Sequence, residues 1–116
     1  MNDERLLVAC LCAQWCGVCR EYEAVFAEVA NEHATAASWV WVDIEDHEAV
    51  IDGFDVDDFP TLLIARGDDA VLFFGALEPQ RQMLVRLLQA ATGDALSPLA
   101  DAPVRALPAR VRRLAD

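Results

Sequence analysis

All four cysteines of the chain lie within "CLCAQWCGVCR", Cys10 to Arg20. Cys16 and Cys19 stand three apart, one helical turn, where an apolar run gives way to a helical pattern. A thiol at the first turn of a helix faces unpaired backbone N–H groups and the positive end of the helix dipole, which favour thiolate over thiol. A second thiol one turn deeper is expected to be buried and to stay protonated. Such a pair is the minimal machine for thiol-disulfide exchange: Cys16 attacks and Cys19 resolves the mixed disulfide. Cys10 and Cys12 are two apart on a strand and so share a face. Buried free cysteine behaves as a small hydrophobe, and both are expected to pack beneath the reactive pair without reacting.

The pattern CxCxxxCxxC also offers four thiolates, enough for tetrahedral zinc or an iron-sulfur cluster held by Cys10, Cys12, Cys16 and Cys19. Two of these sulfurs project from a strand and two begin a helix, so bringing all four to one point would distort the turn between them. Redox chemistry without metal or cofactor is the preferred reading. His33 and His47 fall at helix ends, where a solvated role is favoured over a Cys-His hydrolase.

These residues must be held by the elements around them. "RLLVACLCA" is an apolar run that reads as a buried strand from Leu6 to Ala13. Cys19, Tyr22, Phe26 and Val29 then recur at three- and four-residue steps, the stripe of an amphipathic helix reaching about His33. Ser38 to Ile44, "SWVWVDI", returns to strand composition. Asp46 can cap a short helix through Val50 and Ile51 that ends at Gly53. "TLLIA" and "AVLFF", joined by a short loop containing Gly67, read as a hairpin. Pro79 suits a first helical turn, and Met83, Leu84, Leu87, Leu88 and Ala91 form the apolar face of a helix stopped by Gly93. The order predicts an α/β fold: a mixed sheet of about four strands with helices on both faces, its first two strands parallel. Residues 1–93 read as one domain and 94–116 as an Ala-, Pro- and Arg-rich extension.

At 116 residues and 55% hydrophobic composition, the chain has room for one buried core. The net charge of -11 and the absence of lysine exclude a basic face for nucleic acid. Eight carboxylates lie between Asp43 and Asp58, whereas four of the nine arginines sit in the last twelve residues. No segment approaches membrane-spanning length. Asp3, Glu4 and Arg5 precede the first apolar run and no export signal is evident, so a cytoplasmic protein is expected. Clustered cysteines there suggest catalysis or metal binding more than structural bridges.

"AQWCGVCR" resembles the active-site segment of the thioredoxin family. "FPT" at Phe59 to Thr61 matches that family's cis-proline segment, and "FGAL" at Phe74 to Leu77 matches the glycine before its final helix. The likeness covers roughly Leu6 to Ala91. It implies a thioredoxin-like three-layer sandwich and a protein-disulfide reductase in which Cys16 is the nucleophile and Cys19 the resolving thiol. It further implies a substrate surface built from Trp15, Gly17, Val18, Phe59, Pro60 and Gly75, with protein disulfides as substrates and a reductase as electron donor. A non-catalytic binding or assembly module using the same groove is the alternative on this fold.

Several positions depart from the family. Cys10 stands where a buried acid is usual and Cys12 where an aromatic is, so resolution by Cys19 is expected to be slow unless water or Glu21 takes the proton. Val18 replaces a frequent proline in the dipeptide that tunes the potential, which is placed nearer the reducing end. Asp57 and Asp58 are expected to rim the groove and favour basic or neutral partners. Only five residues precede the first strand, where the family has a further strand and helix. Ser38 to Ile44 then becomes a sheet edge and one face loses its cover. A homodimer through that strand is favoured. The tail folding back is the other solution, with Val104, Leu107, Val111 and Leu114 at helical spacing but interrupted by Pro108.

Overall fold

In a computed structural model, the described residues are 6–13, 15–54, 56, 58–67, 70–93 and 95–115. Asp57 lies outside them. The first strand, β1 (Leu6–Cys12), is buried at every position. A strand covered on both faces needs a continuous apolar run, which "LLVACLC" supplies. Its residues alternate between two cores: Leu6, Val8, Cys10 and Cys12 enter one, and Leu7, Ala9 and Leu11 the other. β1 pairs in parallel with β2 (Ala37–Asp43) and antiparallel with β3 (Thr61–Arg66), and β4 (Ala70–Ala76) pairs antiparallel outside β3. The sheet order is β2-β1-β3-β4. Cys12 is registered against Asp43 on β2, and Cys10 lies between Trp41 and Leu62.

The first core is closed by two helices. α1 (Gly17–Glu32) buries Cys19, Tyr22, Phe26 and Val29, the predicted stripe, and α2 (Arg81–Thr92) buries Leu84, Leu88 and Ala91. Phe26 packs its ring against Trp39 and Trp41 of β2, with centroids 5.5 and 5.6 Å away. Arg81 pairs with Glu32 where the two helices approach each other at the surface. Pro79 precedes α2 instead of lying in its first turn, and Gln80 occupies the N-cap. Asp46 is not a cap either. The short helix is a 3₁₀ turn at Glu48–Ile51 with His47 at its N-cap, because Asp43 has already turned the chain by accepting the N–H groups of Asp46 and His47, each at 3.1 Å.

The second core is closed by the C-terminal residues. After a 3₁₀ turn at Ala102–Ala106, α3 (Leu107–Ala115) lays Leu107 and Val111, with Val104 ahead of them, against Leu7, Ala9, Leu11, Val42 and Leu63. Pro108 does not interrupt this helix. As its second residue, Pro108 lacks an N–H where no intrahelical acceptor exists, and it opens the first turn. Arginines fasten the segment to backbone carbonyls. Arg110 Nη1 donates to Val50 O at 3.1 Å and to Asp52 O at 3.0 Å, and Arg112 Nη2 donates to Gly67 O at 2.9 Å. Gly67 has φ +70°, the left-handed turn conformation that glycine adopts without a Cβ penalty. The face for which the sequence left two solutions is thus covered by the chain's own tail, while β2 ends the sheet on one side. Among the described residues no helix is long and apolar enough to cross a membrane.

Candidate functional site

β1 ends at Cys12 and α1 begins at Gly17, so the strand delivers its last residues directly under the first turn of the helix. Cys16 is the N-cap residue of α1. Its N–H donates to Ala13 O at 3.0 Å, its carbonyl accepts Arg20 N–H at 3.2 Å, and among the described residues no side-chain hydrogen bond caps this helix end. The Cys16 thiol is free and partly exposed. Gly17 and Val18 continue the exposed rim, Val18 at 42% exposure.

Cys19, one turn on, is the first position of the buried helix stripe and points down onto β1. There the structure departs from the expected pairing. Cys19 is disulfide-bonded to Cys12, with Cα atoms 5.7 Å apart, inside the usual range for such bridges. Cys12 is therefore corrected from a passive packing residue to a bonded partner of Cys19. The cause lies in the junction. Cys12 is the last β1 residue on the face that α1 covers, and Cys19 is the first α1 side chain to reach that face. A signal for this existed in the sequence, since a strand position on the helix-facing side and the first stripe position of the next helix must meet.

Cys10 stays a free thiol, fully buried, its sulfur 3.8 Å from that of Cys12. Burial pushes its pKa well above the ordinary thiol range. Tyr22, one turn beyond Cys19, is buried beside this row with its hydroxyl unpartnered among the described residues. Burial, and then the Cys10 sulfur, raise its pKa as well. Sequence reading placed Tyr22 on the helix stripe and missed its polar end.

The second wall of the site comes from the segment before β3. The Phe59–Pro60 peptide is cis, Pro60 is buried, and Pro60 O accepts Leu77 N–H at 3.1 Å. Trp15, 64% exposed, meets the Phe59 ring edge-on with centroids 5.7 Å apart. This contact joins the cysteine turn to the proline segment. Asp58 is exposed there, and its carbonyl accepts the Thr61 hydroxyl. Gly75 lies on β4 opposite Leu62, and a Cβ there would meet only the Phe73 ring tip at 3.8 Å, an ordinary contact. No crowding in this conformation requires glycine at that position.

A cleft of about 170 Å³ opens beside Cys19, lined by Ala13, Arg20, Glu23, Trp41, Asp43 and Asp46. It holds carboxylates close to the buried sulfur, which Cys10 does not supply from below. Glu23, not the expected Glu21, is the α1 carboxylate that lines it. Among the described residues no cluster of three or more His, Cys, Asp or Glu side chains is arranged to hold a metal ion, so the four-thiolate site has no support in this geometry. His33 and His47 stand at helix ends, as the sequence suggested.

A four-stranded mixed sheet with a cysteine at the N-cap of its first helix and a cis-proline ahead of β3 defines a thioredoxin-like fold. The thioredoxin family model matches residues 1–89, and the chain belongs to that family. Thioredoxin-1 of Drosophila yakuba is 24% identical over 90 residues, covering 76% of this chain and 84% of that protein. Thioredoxin H2-1 of Oryza sativa subsp. japonica is 34% identical over 70 residues, 60% of this chain and 50% of that protein. Among solved structures, Fasciola hepatica thioredoxin superposes with a TM-score of 0.67 at 23% identity, covering 76% of this chain and 82% of that one.

Proposed function

We propose that this chain is a thiol-disulfide oxidoreductase that reduces protein disulfides through Cys16 and Cys19. The observation that carries this reading is a free, partly exposed thiol at the N-cap of α1, one turn from a buried sulfur already engaged in a disulfide. The Cys16 thiolate attacks a substrate disulfide R–S–S–R′, forming Cys16–S–S–R and releasing R′–S⁻, which takes up a proton. Cys19, as a thiol, then loses its proton and attacks the Cys16 sulfur, and R–S⁻ leaves. The net result is two electrons passed to substrate and a Cys16–Cys19 disulfide, which an electron-donating reductase returns to thiols. Cys19 can take this part only after its bond to Cys12 has been reduced.

Trp15, Gly17, Val18, Phe59 and Pro60 form the surface on which an extended substrate segment lies, with Gly75 on the strand behind it. Asp58 gives that surface an acidic rim, which favours basic or neutral partners. The work belongs in the cytoplasm, where thiol reductants maintain the dithiol. Reduction of insulin by the fully reduced protein tests the reading. Cys16→Ser is expected to abolish turnover, and Cys19→Ser to accumulate mixed disulfides with substrate. Wild-type turnover by Cys16→Ser would remove this function.

A further inference from the structure

We propose that Cys12 is a third redox-active residue of this site: the disulfide first made between Cys16 and Cys19 is passed to Cys12, so that the oxidised protein holds Cys12–Cys19 and regains Cys16 as a thiol. This rests on the reading of Cys16 as nucleophile and Cys19 as resolving partner.

The geometry carries it. Cys19 has two sulfur neighbours it can bond. Cys16 is three residues behind it on one helix face, where Cβ atoms lie about 5–6 Å apart. Cys12 is beneath it, with Cα atoms 5.7 Å apart and the bond formed. Cys19 is the one residue common to both bridges, so the two disulfides exclude each other. Cys10 is a poor competitor for the transfer. It is fully buried beyond Cys12, in surroundings that keep its proton on.

The transfer balances without outside reagents. The Cys12 sulfur, giving up its proton, attacks Sγ of Cys19. The Cys12–Cys19 bond forms, the Cys16–Cys19 bond breaks, and the electron pair leaves on the Cys16 sulfur, which is protonated. Two electrons have already gone to the substrate disulfide, and none are exchanged here. Asp43 is the carboxylate assigned to take the proton: its Cα is registered with that of Cys12 across the β1–β2 pair, it lines the cleft that Cys19 also lines, and its Oδ1 accepts the Glu45 N–H at 3.0 Å. Cys16 is the favoured leaving sulfur because water reaches it, whereas Cys12 is sealed in the core.

The consequence is functional. A site oxidised at Cys16–Cys19 has no accessible thiol left, whereas one oxidised at Cys12–Cys19 stores its oxidation in the core and can capture a second disulfide through Cys16. That second adduct cannot be resolved by Cys19, so the oxidised protein behaves as a one-thiol trap until Cys12–Cys19 is reduced.

Disulfide mapping of the full chain tests this. Reduced protein is oxidised with glutathione disulfide, sampled over time by acid quench, alkylated, and cleaved with chymotrypsin, which cuts after Trp15 and separates Cys12 from Cys16 and Cys19. An intrapeptide Cys16–Cys19 bridge is expected first, followed by a cross-link between the Cys12 and Cys19 peptides with alkylation at Cys16. A bridge that stays at Cys16–Cys19 overturns the proposal. So does a Cys12–Cys19 cross-link that forms as fast in Cys16→Ser, because the bond would then arise without transfer. In oxidised Cys12→Ala, native-state alkylation at Cys16 should fall from about one label per chain to almost none. The wild-type time course decides even if that variant folds poorly. Insulin reduction on the same preparations separates the two readings. Loss of insulin reduction in Cys16→Ser together with a persistent Cys16–Cys19 bridge in the wild-type protein removes only the transfer, whereas an active Cys16→Ser removes both.

Discussion

The buried row Cys10, Cys12, Cys19 and Tyr22 sets how the molecule responds to pH. Cys10 and Tyr22 keep their protons in the folded state to higher pH than in the unfolded chain, chiefly because burial penalises their anions. Unfolded, they titrate near about 8.5 and about 10. Above those values the unfolded chain binds fewer protons than the folded one, so stability falls as pH rises, by about 1.4 kcal/mol per pH unit for each group. Below about pH 8 neither group contributes a slope. Urea midpoints from pH 7 to 11 should therefore stay level, bend downward past the unfolded thiol pKa, and steepen past that of tyrosine. Cys10→Ala should erase the first bend and Tyr22→Phe the second. An unchanged alkaline profile in both variants would show that these groups titrate alike folded and unfolded. At this scale the sequence made the start of α1 legible, because Cys16, Cys19, Trp15 and Pro60 are carried by short motifs. The Cys12–Cys19 bond was legible only as an adjacency, since the last strand position on the helix-facing side meets the first stripe position of α1; that the two sulfurs bond depends on the angle at which α1 crosses the end of β1, which no local pattern encodes.

Secondary structure was legible wherever one periodicity held for two turns or more, as in α1 and α2, and blurred where a proline or an acidic turn intervened. The clearest case is α3. Val104, Leu107, Val111 and Leu114 show helical spacing, yet Pro108 in their midst reads as a break until the helix is seen to begin at Leu107. The last residues read in sequence as part of an Ala-, Pro- and Arg-rich extension, but Arg110 and Arg112 reach backbone carbonyls of the 3₁₀ segment and of the hairpin turn. α3 is thus a core element, with Leu107 fully buried at its start. Leu107→Ala is expected to cost about 2–5 kcal/mol, because the strands beneath cannot collapse into the space it leaves. Arg105→Ala, at an exposed position two residues earlier in the preceding 3₁₀ turn, should stay within about 0.5 kcal/mol. Equal midpoint shifts in denaturant for the two variants would mean that α3 is not docked as described.

One sheet with a core on each face is stable only when both faces are covered, and here the two covers come from different parts of the chain. α1 and most of α2 lie within the family match, which ends at residue 89, and α3 lies beyond it. The case for a dimer across Ser38 to Ile44 rested on a sheet edge together with an uncovered face. The edge persists, but α3 covers the face, and each copy carries a net charge of -11 with Asp43, Glu45 and Asp46 clustered where β2 ends. Like charge of that size opposes edge-to-edge approach, most strongly at low salt. The full chain is accordingly expected to show a light-scattering mass of one copy, independent of concentration. Removing residues 94–116 should leave Leu7, Leu11, Val42, Leu63 and Val71 without their cover, lower the urea midpoint, and make the measured mass rise with concentration. A truncated chain that stays monomeric at the original midpoint would show that the second core is held by the strands and the 3₁₀ turn alone.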